Sequence, residues 1–134
     1  MEKLGTRAID SAEHWYSVAE DSIKLENYDT AVYGMEMSLE IGLKGILMKN
    51  KIDYPKIHDV TAVLRSRAGR LKLSRQFSDR MDDMLETFQI LLKYRNDAGY
   101  LFSGASDPAV LKEVAVENIE KVREYLDLLR KEIL

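Results

Sequence analysis

Apolar residues recur three and four apart along almost the whole chain, and no segment alternates apolar and polar in twos as a half-buried strand would. Leu4, Ala8, Ala12, Trp15, Ala19 and Ile23 define one face of a first helix, predicted from Leu4 to Glu26, with Trp15 as its core anchor. Asn27-Tyr28-Asp29 is too short a link for anything but an antiparallel hairpin, and Asp29 is suited to cap the next helix. No proline interrupts Thr30 to Lys49, where Ala31, Ser38, Gly42 and Gly45 give one small-residue side flanked by Val32, Met35, Leu39, Ile46 and Leu47. A glycine inside a helix costs about 1 kcal/mol against alanine. Two of them predict that neighbours approach this helix closely, which makes it the central one.

A loop from Asn50 to Lys56 carries Pro55, and a third helix is predicted from His58-Asp59, read as a structural cap, to about Arg67, ended by Gly69. A fourth is predicted from its cap Ser74 to Phe102. Its stripe of Phe77, Met81, Met84, Phe88 and Leu91 would next place Arg95 among oily side chains. Burying that charge alone would cost several kcal/mol, so Arg95 must meet a carboxylate, reach a helix end or face a cleft that takes an anion. After the turn Ser103 to Ser106, Asp107 caps a fifth helix with Pro108 at its first position. Its face is Leu111, Ala115, Asn118, Val122, Tyr125, Leu129 and Glu132, widened by Ile119, Leu126 and Ile133. The expected fold is all-α, an antiparallel up-and-down bundle of about five helices.

At 134 residues the chain has the size of one domain, taken as 1–134, and can bury a core without staples. It holds no cysteine, which excludes disulfides and thiolate chemistry and suits a reducing cytosol. The N-terminus has no long apolar run and no stretch is long enough for a membrane span, so a cytoplasmic protein without a membrane partner is expected.

The net charge of −3 is unevenly spread. Residues 1–43 carry −6, residues 44–80 carry +7 and residues 81–134 carry −4. The basic third is densest at Arg65, Arg67, Arg70, Lys72 and Arg75, which suits either a solvated helix end or a surface for phosphate or an acidic partner. Glu36, Glu40 and Lys44 share a face of the second helix at i, i+4 and i+8. They read as surface pairs worth a few tenths of a kcal/mol each, with Glu40 as an alternative partner for Arg95. Neither Glu-x-x-His, His-Glu-x-x-His nor a phosphate-binding glycine loop is present, and His14 lies far from His58 in sequence. No metal and no cofactor is expected.

Tyr28, Asp29 and Ala31, then Ser38, Glu40, Leu43, Lys44 and Leu47, then His58-Asp59 stand in an order and spacing that resembles the core signature of HEPN domains. The resemblance extends over most of the chain once Arg95 is included. It implies a helical bundle that pairs with itself as a homodimer, the arginine-bearing helix ends meeting in a shared groove, and that commonly works beside a nucleotidyltransferase partner protein in toxin–antitoxin pairs. In HEPN ribonucleases an arginine, four to six residues and a histidine form the cutting motif. Here Arg95 and Asn96 match its opening, but Tyr100 stands where histidine is expected, and Leu101 and Phe102 follow.

Metal-free RNA cleavage needs a base at the ribose 2′-hydroxyl, an acid for the leaving oxygen and a cation for the phosphorane. Arg95 supplies the cation. Tyrosine, with a pKa near 10, is deprotonated in only about one molecule per thousand at pH 7, so Tyr100 is a poor base that can still hydrogen-bond phosphate or stack on a base. The expected function is therefore binding of RNA or a nucleotide, or partnering of a nucleotidyltransferase. Arg95, Asn96 and Tyr100 line the site, with Glu40, Lys44 and the basic segment as accessory binding residues. Two alternatives stand beside it. One is an active metal-independent endoribonuclease toxin, in which Tyr100 takes over the histidine's task. The other is a helical interaction module: Trp15, Val18, Ala19, Ala31, Met35 and Ser38 partly resemble a tetratricopeptide helix pair, although no second copy follows.

Overall fold

Helix α2 (Tyr28–Lys49) runs through the middle of the bundle, packed by α1 (Thr6–Lys24), α4 (Arg75–Ala98) and α5 (Pro108–Ile133). The short α3 (Thr61–Ser66) lies between α2 and α4 in the chain, and 3-10 turns follow it at Ala68–Arg70 and follow α4 at Leu101–Ser103. The computed structural model describes residues 3–134, and among these there is no strand. The fold is all-α, as the periodicity implies.

Alanine-sized and glycine positions explain how α2 sits among three neighbours. Ala31, Gly34, Ser38, Gly42 and Gly45 are all buried. A Cβ on Gly42 would stand 2.8 Å from Leu129 Cδ1 of α5, and one on Gly45 would stand 2.9 Å from Ile133 Cδ1 and 3.1 Å from Ala8 Cβ of α1. The close approach that the two glycines imply is therefore real on both flanks. Around it Ile9, Met35, Leu39, Leu43, Ile46, Leu47, Phe77, Met84, Phe88, Leu91, Leu126 and Leu129 form one continuous core.

End-to-end contacts fix the antiparallel order. Asn50, just past α2, accepts from the Lys72 amide before α4 at 2.8 Å, and Glu132 near the end of α5 takes both the amide and the hydroxyl of Ser74 at 2.7 Å. Glu13 of α1 receives a two-pronged contact from Arg123 of α5, at 2.8 and 2.7 Å. Ser74 caps α4 by accepting from the Phe77 amide, and Asp107 caps α5 by accepting from the Ala109 amide, with Pro108 at the first position.

Several boundaries differ from those the sequence predicts. Helix α1 is shorter than Leu4 to Glu26, and its buried stripe keeps Ala12 and Ala19 of the predicted face but has Ile9, Tyr16 and Ser22 in place of Ala8, Trp15 and Ile23. Trp15 is consequently half-buried at the rim and not a core anchor. Tyr16 takes that place because its hydroxyl can donate to the Ile119 carbonyl at 3.0 Å while its ring is covered. Asp29 does not cap α2, which starts one residue earlier at Tyr28 behind Asn27. Helix α3 begins at Thr61, since Asp59 accepts from the Thr61 amide in a turn of its own, and His58 lies outside the helix. Gly69 falls inside a 3-10 turn and not at a helix end. Helix α4 stops at Ala98, and the apolar run Leu101-Phe102 folds back as the second 3-10 turn.

Candidate functional site

On the side of α2 facing α4, Tyr33, Glu36, Glu40 and Lys44 follow at spacings of three, four and four, so they stack along one edge of the helix. Arg95, one turn from the end of α4, crosses to the first two of them. Its guanidinium carbon lies 4.6 Å from the centre of the Tyr33 ring, Nη2 donates to the Tyr33 hydroxyl at 3.3 Å, and Nε is 3.4 Å from Glu36 Oε2. Trp15 of α1 also lies against Tyr33, the two ring centres 5.8 Å apart and the planes tilted by 57°. Three helices thus place a tryptophan, a tyrosine and an arginine side by side at the surface.

One turn further along α2, Glu40 is bound on both oxygens. Lys44 Nζ donates to Oε2 at 2.9 Å, and His58 Nδ1 lies 3.0 Å from Oε1. Glu36 is fully buried and Glu40 is 3% exposed, so neither belongs to the surface pairing that the i, i+4 spacing suggests. Arg95 meets Glu36 and not Glu40, because Glu36 is the turn of α2 level with the end of α4. The charge placed in the apolar stripe resolves as a carboxylate contact with one aromatic face beside it.

The two carboxylates do not share the same charge state. Burial, then the adjacent Glu40 carboxylate, push Glu36 up to about 9, against the smaller opposing pull of Arg95 and Lys44. Burial acts to raise Glu40 too, but Glu36, Lys44 and His58 together outweigh it and hold Glu40 below its ordinary value. Near neutrality Glu36 is a neutral acid and Glu40 an anion matched by Lys44. With Glu36 neutral, Arg95 has no ionised carboxylate within salt-bridge distance among the described residues, although its side chain is only 12% exposed.

Other residues singled out from the sequence are not gathered here. Asn96 is exposed beside Arg95 on the outer side of α4. Tyr100 is 61% exposed and its recorded ring contact is with Phe102, itself 88% exposed, 6.5 Å away. The basic segment lies towards the opposite end of α4: Arg65 pairs with Asp82 at 3.0 Å, and Asp82 precedes Arg95 by a span of about 20 Å along the helix. Arg75 sits 3.8 Å from Asp79, while Arg67, Arg70 and Lys72 are exposed. Arg65 and Arg75 thus pair with acidic residues in the first half of α4, away from Arg95. Tyr33 and Glu36 escaped the sequence as site residues. Their only signal was that both sit at helical spacing from Glu40.

An antiparallel all-α bundle with an arginine near the end of its fourth helix, facing acidic residues of its second, defines the class. The HEPN domain family model matches residues 6–133, and the chain belongs to that family. No curated protein and no solved structure matches it. Among the described residues no helix is long and apolar enough to cross a membrane.

Proposed function

We propose that this HEPN domain, acting as one unit over 1–134, binds single-stranded RNA or a nucleotide at the Arg95 face without cutting it. The carrying observation is the cluster of Trp15, Tyr33 and Arg95, with the guanidinium 4.6 Å from the Tyr33 ring, the Trp15 ring tilted against that of Tyr33, and a carboxyl group beside Arg95 that stays protonated at neutral pH. A cation without a counter-charge attracts phosphate, and aromatic faces at the rim accept bases by stacking, worth roughly 1–3 kcal/mol per base. Asn96 and Tyr100 are exposed near the same end of α4 and would meet only a ligand that reaches beyond this face, whereas Lys44 is committed to Glu40.

Cleavage is disfavoured because a base is wanting where the family's histidine stands. Tyr100 points its ring to Phe102, and His58 is tied to Glu40 on another part of α2. Incubation of labelled single-stranded RNA with the protein should give a retarded, intact species that is lost in Arg95→Ala. Fragments that disappear in Arg95→Ala would establish the ribonuclease reading instead. RNA left free at every protein concentration would remove both.

A second reading, contact with protein through the same end of the bundle, has its own observation. Tyr100 and Phe102 are large apolar side chains exposed on a turn. A second copy of the chain, or a nucleotidyltransferase partner, would cover them. Solution mass of the wild type and of Phe102→Ser distinguishes the two: a dimer that the substitution dissociates favours self-pairing, and a monomer in both leaves these residues to another partner.

A further inference from the structure

The contacts of Glu36, Glu40 and His58 leave one part of the site unexplained. Glu36 is wholly buried, and apart from the proton it can share with Glu40 neither of its oxygens has a hydrogen-bond partner among the described residues. A buried carboxyl group in that condition costs several kcal/mol, and such groups are rare in native proteins without a ligand to account for them. Arg95 approaches only Oε2, at 3.4 Å.

The same group converges with two others. One carboxylate oxygen from Glu36, one from Glu40 and one ring nitrogen of His58 all lie within 4.8 Å of one another. His58 Nδ1 and Glu40 Oε1 are 3.0 Å apart, close to the roughly 3.3 Å between two ligands of a tetrahedral zinc ion with bonds near 2.0 Å. Two of the three ligands come from successive turns of one helix, and the third from a loop residue whose side chain is 56% exposed and already turned to Glu40. Arg95 lies beside Glu36 Oε2 and Lys44 on Glu40 Oε2, while Glu40 Oε1 is the oxygen that meets His58.

We propose that Glu36, Glu40 and His58 bind one divalent transition-metal ion, with solvent completing its coordination. One imidazole and two carboxylates form a mixed nitrogen–oxygen set, which suits zinc or manganese better than calcium or magnesium. Binding has to displace the proton that Glu36 keeps near neutrality, and the cations of Arg95 and Lys44 oppose a further positive charge, so the affinity is moderate and the ion exchangeable. Lys44 has the flexible stem and a place to go, its ammonium already 5.8 Å from the Tyr54 ring at the surface. The sequence hides such a site because its histidine lies eighteen residues from Glu40 on a loop, and no short motif spans that gap.

Isothermal titration of tag-free, chelator-treated protein with zinc chloride, repeated with manganese chloride, tests the proposal. One ion per chain should bind to the wild type for at least one of the two metals. His58→Ala and Glu40→Gln, shown folded by circular dichroism, should each weaken it at least about tenfold. His14→Ala should bind as the wild type does. Absence of binding to the wild type, unchanged binding in both His58→Ala and Glu40→Gln, or loss of binding in His14→Ala would overturn it. Because metal binding is read without RNA, its outcome is separate from that of the RNA-binding proposal.

Discussion

The guanidinium of Arg95 lies over the ring of Tyr33 while its Nη2 donates to the same residue's hydroxyl at 3.3 Å, so one side chain orients the cation by face and by edge. The two contributions separate by substitution. Tyr33→Phe keeps the face and should alter stability by no more than about 0.5 kcal/mol, whereas Tyr33→Ala should cost roughly 1–2 kcal/mol, from the lost cation contact and the lost packing on Trp15. Urea unfolding of the three proteins provides the comparison. Equal losses in both variants would place the weight on the hydroxyl.

Glu36 predicts an unusual dependence on pH. Its pKa rises from 4.5 to about 9 on folding, so between those values the native state keeps a proton that the unfolded chain has released. Stability from this group therefore falls as pH rises through that window. Glu36→Gln has no such proton to lose. In chelator-containing buffer its stability relative to wild type should grow by more than about 1 kcal/mol between pH 5.5 and 8.5. A constant difference across that range would mean that Glu36 is ionised throughout.

Glu13 predicts the opposite sign. The two hydrogen bonds from Arg123 lower its pKa, so its stabilisation is present above the ordinary value of 4.5 and is lost as pH falls through the folded value. Both side chains are half-buried, and a geometry of this kind is worth roughly 1 kcal/mol. Glu13→Gln should be less stable by about that amount at pH 7, and the difference should shrink as the pH is taken below the ordinary carboxylate value of 4.5. Thermal melts over that range measure it.

The glycines of α2 should not respond alike to alanine. A Cβ on Gly34 would meet backbone, the Trp15 carbonyl oxygen at 3.0 Å and the Ala19 nitrogen at 3.2 Å. One on Gly42 would meet only the end of the Leu129 side chain. Alanine gains about 1 kcal/mol of helix propensity at either site, against a packing cost of about 1–3 kcal/mol where the neighbour cannot move. Gly34→Ala should be the more destabilised of the two in denaturant, and the reverse order would mean that α1 shifts more readily than Leu129.

How much of this was legible depends on what each residue had to signal. The stripe from Phe77 to Leu91 fixed α4 because five large apolar side chains at spacings of four and three admit one face. Ser74 and Asp107-Pro108 marked helix starts correctly, since their side chains satisfy amides that nothing else reaches. Trp15 misled because its three-and-four spacing with Ala12 and Ala19 put it on the apolar face, whereas the contact between α1 and α2 needs small residues such as Ala12 and Ala19 there, and Tyr16 can bury its ring while satisfying its hydroxyl. Arg95 announced itself by interrupting an apolar series. Its partner did not, because helical spacing marks Glu36 and Glu40 equally and only the height at which α4 ends selects Glu36. His58 was likewise opaque, being brought to Glu40 by a loop that periodicity does not describe.

Trp15 is the only tryptophan in the chain, and its ring lies 5.8 Å from the Tyr33 ring on which Arg95 stacks. Its fluorescence therefore reports on that face alone. Titration with a single-stranded oligoribonucleotide at low salt should shift or quench the emission in a saturable way that weakens as salt is raised, and folded Arg95→Ala should lose the response. An emission spectrum that stays unchanged while the same RNA binds by an independent assay, or a response preserved in Arg95→Ala, would contradict the assignment of this surface.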